Sequence, residues 1–144
     1  MRLWHIDLIE YLPRSQLIAQ WRELNSIYVK QDKHILINFI YDYPKTDLLI
    51  YSQIVLQEMM KRGYKFNLKN YDEYFNFNIF DDDYSKIGLN NSYCKVNVFE
   101  KHMDDIYFDI CCYNLYEKAL RGQKDVEKKT FDFLENIILN KKRR

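Results

Sequence analysis

Apolar side chains recur at helical spacing early in the chain. One stripe repeats every three or four residues, which places its members on a single face of a helix: Leu17, Trp21, Leu24 and Tyr28. Pro13 suits the first turn of such a helix, which we predict to run to about Tyr28 or Lys30.

Residues 1–11 lead into this helix and mix apolar side chains with Asp7 and Glu10. We predict a short extended or irregular segment. Three large apolar side chains should anchor it in the core: Leu3, Trp4 and Ile6.

Arg22 and Glu23 lie off the apolar stripe and therefore face away from the packed side of the helix. Glu23 shares its own side with Ala19 and Gln20. Because an alanine side chain is small, it leaves room for another piece of backbone beside the carboxylate. We expect Met1 to occupy that space. The simpler alternative is that Glu23 is an ordinary surface carboxylate paired with a nearby basic side chain.

The clearest helical pattern covers residues 45–62. Pro44 and Asp47 suit its start, and Gly63 suits its end. Its broad apolar side is formed by Leu48, Ser52, Val55, Leu56, Met59 and Met60.

The segments on either side of this helix are less regular. Residues 34–43 are rich in β-branched and aromatic side chains, which suits a strand and a buried helix equally well. Residues 64–100 are dominated by Asn, Asp, Tyr and Phe, which predicts short turns and loops around aromatic anchors. The acidic run at 81–83 lacks the ligand alternation and central glycine of a calcium loop, so we interpret it as a solvated turn.

Two further helices are expected in the C-terminal third. One runs from about Ile110 to Leu120 and stops at Gly122. The next begins near Asp125, and its core-facing side is formed by Val126, Thr130, Phe133, Leu134 and Ile137. Residues 141–144 form a basic tail.

Composition favours a mostly α, compact single-domain helical fold over residues 1–144, with the amino terminus packed against the first long helix. Hydrophobic residues make up 47% of the chain, and three glycines and two prolines are too few for a turn-rich β-sandwich. Because there is no long uncharged apolar run and no secretion leader, we expect no membrane partner and a cytoplasmic location. We assume a monomer.

The cysteines and histidines show no spacing typical of a disulfide framework or a metal site. The cysteines should be reduced and structural: Cys94, Cys111 and Cys112. The histidines are scattered along the chain: His5, His34 and His102. We expect His34 to pack or cap locally.

Charge is distributed unevenly along the chain. Residues 1–71 have ten Lys/Arg against seven Asp/Glu (net +3), residues 72–109 have three against nine (net −6), and residues 110–144 have nine against five (net +4). A basic face assembled from the two ends could bind nucleic acid, although ordinary solvated charge explains these counts equally well.

Two groups of residues in the first 66 positions occur together in an order typical of a known family. The first consists of Arg2 and Leu3 behind the terminus and then Leu17, Ala19, Trp21, Arg22, Glu23 and Leu24. The second begins at His34, continues through an apolar run to Tyr41 and Asp42, and ends with Met60, Lys61, Arg62, Gly63 and Tyr64. In this order they resemble the pyrimidine-dimer DNA glycosylase family, of the small phage endonuclease V type.

The resemblance implies a specific reaction on double-stranded DNA that contains a damaged base. In that family the α-amine of the first residue attacks the sugar at a damaged pyrimidine, and the resulting Schiff base decays by β-elimination. Met1 would supply the amine, because Arg2 is too large for removal of the initiator methionine. Glu23 matches the catalytic carboxylate, which stabilises positive charge and transfers protons. No metal and no organic cofactor is needed.

The resemblance also implies contacts to DNA. Arg2 and Arg22 match residues that contact phosphates and the damaged strand, and Arg14 is a further candidate phosphate contact. Two features favour a different function, that of a non-catalytic nucleic-acid-binding or interaction protein that keeps the fold. Ser26 replaces an expected arginine, and residues 72–109 are acidic. A third possibility is the same chemistry on another damaged base.

Overall fold

A computed structural model describes residues 2–31, 33–75 and 98–142, and this part of the chain is mostly α-helical, as predicted. Two short 3₁₀ helices cover Ile6–Tyr11 and Asn38–Asp42. The α-helices are α1 (Arg14–Lys30), α2 (Lys45–Lys61), α3 (Lys69–Phe75), α4 (Asp105–Leu120) and α5 (Lys128–Lys142).

The amino-terminal lead is more regular than the sequence predicts. Residues 6–11 form a 3₁₀ helix, and the His5 imidazole caps it by accepting a hydrogen bond from the Asp7 amide across 3.1 Å. The expectation of an extended or irregular lead is therefore wrong for this part. The predicted anchors are confirmed, since Leu3, Trp4 and Ile6 are all buried.

The first long helix, α1, matches its predicted bounds. Its N-cap residue Pro13 supplies no side-chain hydrogen bond. Instead Asp125, from the loop before α5, accepts a hydrogen bond from the Ser15 amide across 2.7 Å. Burial has the largest single effect on the Asp125 carboxyl and raises its pKa, but the hydrogen bonds from Ser15 and Gln123 together outweigh burial and hold the pKa below its usual value. The amides in the first turn of a helix have no acceptor within that helix, and here a side chain from a distant segment accepts a hydrogen bond from one of them.

Residues 34–43 form a turn followed by the second 3₁₀ helix. His34 organises the turn, because its carbonyl accepts hydrogen bonds from two later amides. The predicted strand or buried helix is wrong, because the apolar side chains do not share one environment. Ile37 is buried, whereas Ile35 is 86% exposed.

The second long helix, α2, confirms the predicted helix to within one residue at its end. The predicted apolar side is buried except for Met60, which is 42% exposed because it lies about 100° around the helix from buried Met59. Gly63 adopts a φ of +76°, the left-handed conformation that favours glycine after a helix.

The sequence prediction for residues 64–100 is wrong in one part, because α3 lies within them. Tyr71 of α3 is fully buried, and its ring lies 6.3 Å from the Trp21 ring, so an aromatic anchor is present as predicted. Residues 76–97 are outside the described part of the chain, and so is the predicted acidic turn at 81–83.

The C-terminal helices differ from their predicted starts. α4 begins five residues before Ile110, because the Asp104 carboxylate caps it by accepting a hydrogen bond from the Tyr107 amide across 2.8 Å. α5 begins at Lys128 rather than near Asp125, so Val126 precedes the helix and is half-buried.

One hydrophobic core joins these elements. α1 packs against α2 and α3, and α4 packs against α5. The largest buried side chains include Tyr51, Tyr71 and Phe99. Cys111 and Cys112 are buried thiols in this core, whereas Cys94 lies outside the described residues. No helix in the described ranges is long and apolar enough to cross a membrane.

Candidate active site

Glu23 lies on a half-buried side of α1 where the amino-terminal lead crosses the helix. Its Oε2 accepts a hydrogen bond from the Arg2 amide across 3.4 Å. The same oxygen accepts a second bond from Gln20 Nε2 across 3.3 Å. The lead therefore packs against α1 as predicted, with its backbone beside the carboxylate.

Three elements hold the lead in this position. From α1, Gln20 Oε1 accepts a hydrogen bond from the Trp4 amide across 2.9 Å. From α2, the Tyr51 hydroxyl donates to the Trp4 carbonyl across 2.6 Å. From α4, the Tyr107 hydroxyl donates to the Leu3 carbonyl. The backbone from Arg2 to Trp4 is thus fixed by side chains from three helices.

Burial raises the pKa of the Glu23 carboxyl above its ordinary value of 4.5. The hydrogen bond from the Arg2 amide opposes this rise, and so does the positive charge of Arg22. A carboxyl whose pKa lies closer to neutral pH exchanges protons more readily there. Glu23 is therefore suited to both electrostatic and acid–base work.

The Arg2 side chain is half-buried beside Tyr107 and Cys111 of α4. Burial raises the pKa of the Tyr107 phenol and of the Cys111 thiol, and a hydrogen bond with Arg2 opposes both shifts. Cys111 therefore stays a neutral thiol at physiological pH and is a poor nucleophile.

Of the other residues considered for the site, Arg22 and His34 are exposed, whereas Arg14 lies away from Glu23. Arg22 is exposed next to Glu23, on the same helix. His34 is exposed, and its Nδ1 accepts a hydrogen bond from the Leu36 amide across 3.2 Å, so it caps a turn locally as expected. Arg14 is not brought to Glu23, because it lies nine residues earlier on α1, about 13 Å along the helix axis.

Arg14 instead contacts an aromatic ring. Its guanidinium lies 5.3 Å from the centre of the Tyr64 ring. The side chain is otherwise exposed at the start of α1. The predicted nucleophile, Met1, lies outside the described residues.

The model of the family described as pyrimidine dimer DNA glycosylase matches residues 1–72. This match covers half of the 144 residues. The chain belongs to this family. No curated protein and no solved structure matches this chain.

Membership of the pyrimidine dimer DNA glycosylase family confirms the resemblance predicted over residues 1–66. The matched range contains Glu23 and the three candidate DNA-contacting arginines. It ends within α3, so α4 and α5 lie outside it.

Two residues that hold the lead of this glycosylase-family chain were not predicted from the sequence. Tyr51 follows Leu48 by three residues and precedes Val55 by four, so helical spacing on α2 could have indicated its burial. Tyr107 gave no such signal, because it lies 104 residues from Leu3.

The described residues of this family member contain no group of three or more His, Cys, Asp or Glu side chains that could hold a metal ion. The groups that act on Glu23 are a backbone amide, a side-chain amide and the guanidinium of Arg22. This set suits the binding of anions and the handling of protons.

Proposed function

We propose that this protein is a DNA repair glycosylase with abasic-site lyase activity. In this proposal the Met1 α-amine is the nucleophile and Glu23 is its acid–base and electrostatic partner. The observation that carries the proposal is the 3.4 Å hydrogen bond between the Arg2 amide and Glu23. That contact brings the first peptide bond of the chain to the carboxylate.

Covalent geometry supports the same assignment. The α-amino nitrogen of Met1 is three bonds from the Arg2 amide nitrogen, which limits their separation to about 3.7 Å. Three covalent bonds therefore join the proposed nucleophile to the amide that donates to Glu23 Oε2.

An α-amine suits this chemistry better than a lysine does. Its pKa lies near 8, about two units below that of a lysine side chain. A useful fraction is therefore neutral and nucleophilic at cellular pH. The nearby Glu23 carboxylate can accept the proton that the amine loses on attack.

The reaction that we propose balances without a cofactor. The amine nitrogen bonds to C1′ of the sugar and gives one proton to Glu23. The glycosidic bond breaks with its electron pair going to the damaged base, which takes a proton from solvent water. Glu23 then gives a proton to the ring oxygen as the sugar opens to the Schiff base. Loss of a C2′ proton expels the 3′ phosphate and cuts the strand, and water releases the amine from the product.

The substrate that we propose is double-stranded DNA containing a pyrimidine dimer or a related damaged base. Arg22 is exposed beside Glu23 and can contact a phosphate of the damaged strand. The Arg2 guanidinium, next to Tyr107, is the second candidate contact. Arg14 would contact the backbone farther along the duplex. A damaged site is the easiest place to displace a nucleotide, because its stacking is already weak.

A panel of duplexes tests the proposed activity. Each duplex contains one defined lesion: a cyclobutane pyrimidine dimer, a different damaged pyrimidine, an abasic site or none. We expect cleavage of the dimer duplex and of the abasic duplex, and at least a hundredfold lower rate with Glu23→Gln. Binding of every duplex without any cleavage would instead support a non-catalytic DNA-binding protein.

A further inference from the structure

Gln20 is a buried polar residue, 1% exposed, one helical turn before Glu23. Its side-chain amide contacts both the amino-terminal lead and Glu23. Oε1 accepts from the Trp4 amide across 2.9 Å, and Nε2 donates to Glu23 Oε2 across 3.3 Å. A single side chain thus links the amino-terminal lead to the carboxylate.

The orientation of the Gln20 amide follows from its partners. The Trp4 amide can only donate, so the atom that faces it at 2.9 Å must be the oxygen. The Tyr51 hydroxyl lies 3.2 Å from the same oxygen, as a second potential donor. Since the oxygen faces this way, the NH₂ group must face Glu23.

This orientation makes the two oxygens of Glu23 unequal. Oε2 receives an N–H from Gln20 and another from Arg2. Both donors favour negative charge on Oε2 and oppose a proton there. A proton that binds Glu23 is therefore directed to Oε1.

We propose that Gln20 is a positioning residue, which holds the amino-terminal lead and Glu23 in one fixed arrangement and directs the transferable proton of Glu23 to Oε1. The catalytic part of this inference rests on the proposed function. Gln20 contacts neither the reacting sugar nor the base in this scheme. It acts through Glu23 and through the backbone of Trp4.

Two substitutions separate the roles of the amide. Gln20→Met removes both the donor and the acceptor at similar side-chain length. Gln20→Glu keeps an acceptor for the Trp4 amide but replaces the donor to Glu23 with a second carboxylate. Gln53→Met is the matched control, because Gln53 is a buried glutamine, 2% exposed, on α2.

The first readout does not depend on catalysis. The side-chain carboxyl carbon of Glu23 is titrated by NMR in the DNA-free protein. We expect the Glu23 titration to move to higher pH by about one unit in Gln20→Glu, because the two carboxylates then share a proton. The titration should stay in place in Gln53→Met. An unchanged Glu23 titration in folded Gln20→Glu would overturn the proposal, whether or not Gln20→Met folds.

The second readout is single-turnover cleavage of an abasic duplex as a function of pH. We expect the acid limb of the Gln20→Glu profile to shift to higher pH together with the Glu23 titration. Folded Gln20→Met should cleave at least tenfold more slowly. Rates that fall only with the folded fraction, as in Gln53→Met, would contradict a positioning role. If the wild type cleaves nothing but the titration still moves, the proposed function fails while the arrangement of Glu23 by Gln20 is supported.

Discussion

The Tyr51 hydroxyl donates a hydrogen bond to the Trp4 carbonyl across 2.6 Å, and both residues are buried. This bond ties the core of α2 to the backbone three residues from the amino terminus. Burial raises the pKa of Tyr51 well above its usual value, so the phenol stays protonated and remains a donor. The packing of the core therefore determines the path of the amino-terminal lead.

Substitution of Tyr51 by Phe tests this connection. The change leaves the Trp4 carbonyl buried without that donor, which costs about 1–3 kcal/mol of unfolding free energy. Urea unfolding followed by circular dichroism measures the loss. Tyr113→Phe is the control, because Tyr113 is 47% exposed, and it should leave stability unchanged. Equal stability of both variants would show that the bond does not hold the lead.

The pH dependence of stability tests the environment of Glu23. Its pKa is raised in the folded state, so its favourable contribution is complete below about 4.5 and is lost as the pH rises through the folded value. Glu23→Gln removes this dependence. The variant should match the wild type in Tm near pH 4 and exceed it near pH 8.

Thermal unfolding of both proteins across this pH range makes the comparison. Gln at position 23 keeps an oxygen for the two hydrogen bonds that Oε2 accepts, so the fold itself should persist. A wild-type protein that gains stability over Glu23→Gln as the pH rises would contradict a raised pKa.

Arg22 offers a test of the DNA-facing surface. If its guanidinium contacts a phosphate, Arg22→Ala should weaken binding to every duplex and reduce the slope of log affinity against log salt by about one. Lys118→Ala is the control, because Lys118 is exposed on α4. Fluorescence anisotropy at several salt concentrations measures both. Identical salt slopes for the two variants would remove Arg22 from the interface.

The helices that follow from local pattern were predictable from the sequence. The apolar stripe predicted α1, and Gly63 predicted the end of α2. Each of these patterns depends only on residues a few positions apart in the sequence. Residues 34–43 could not be assigned this way. Their conformation depends on which side chains the neighbouring helices can bury, and Ile35 is left exposed.

In the candidate site too, local relationships could be predicted from the sequence and long-range contacts could not. Glu23 and its neighbour Gln20 could be placed together from helical spacing alone. The Tyr107 contact could not, because it joins positions 104 residues apart and depends on how α4 packs. α3 was missed because seven residues carry too little periodicity, and its burial rests on the single anchor Tyr71.

Borohydride trapping tests the central claim most directly. The untagged protein is incubated with a duplex containing one abasic site and reduced, and any covalent adduct is mapped by mass spectrometry. We predict an adduct on the α-amine of Met1, which disappears when that amine is acetylated and weakens strongly in Glu23→Gln. No adduct with a free amino terminus, or an adduct on a lysine side chain, would contradict the amine mechanism.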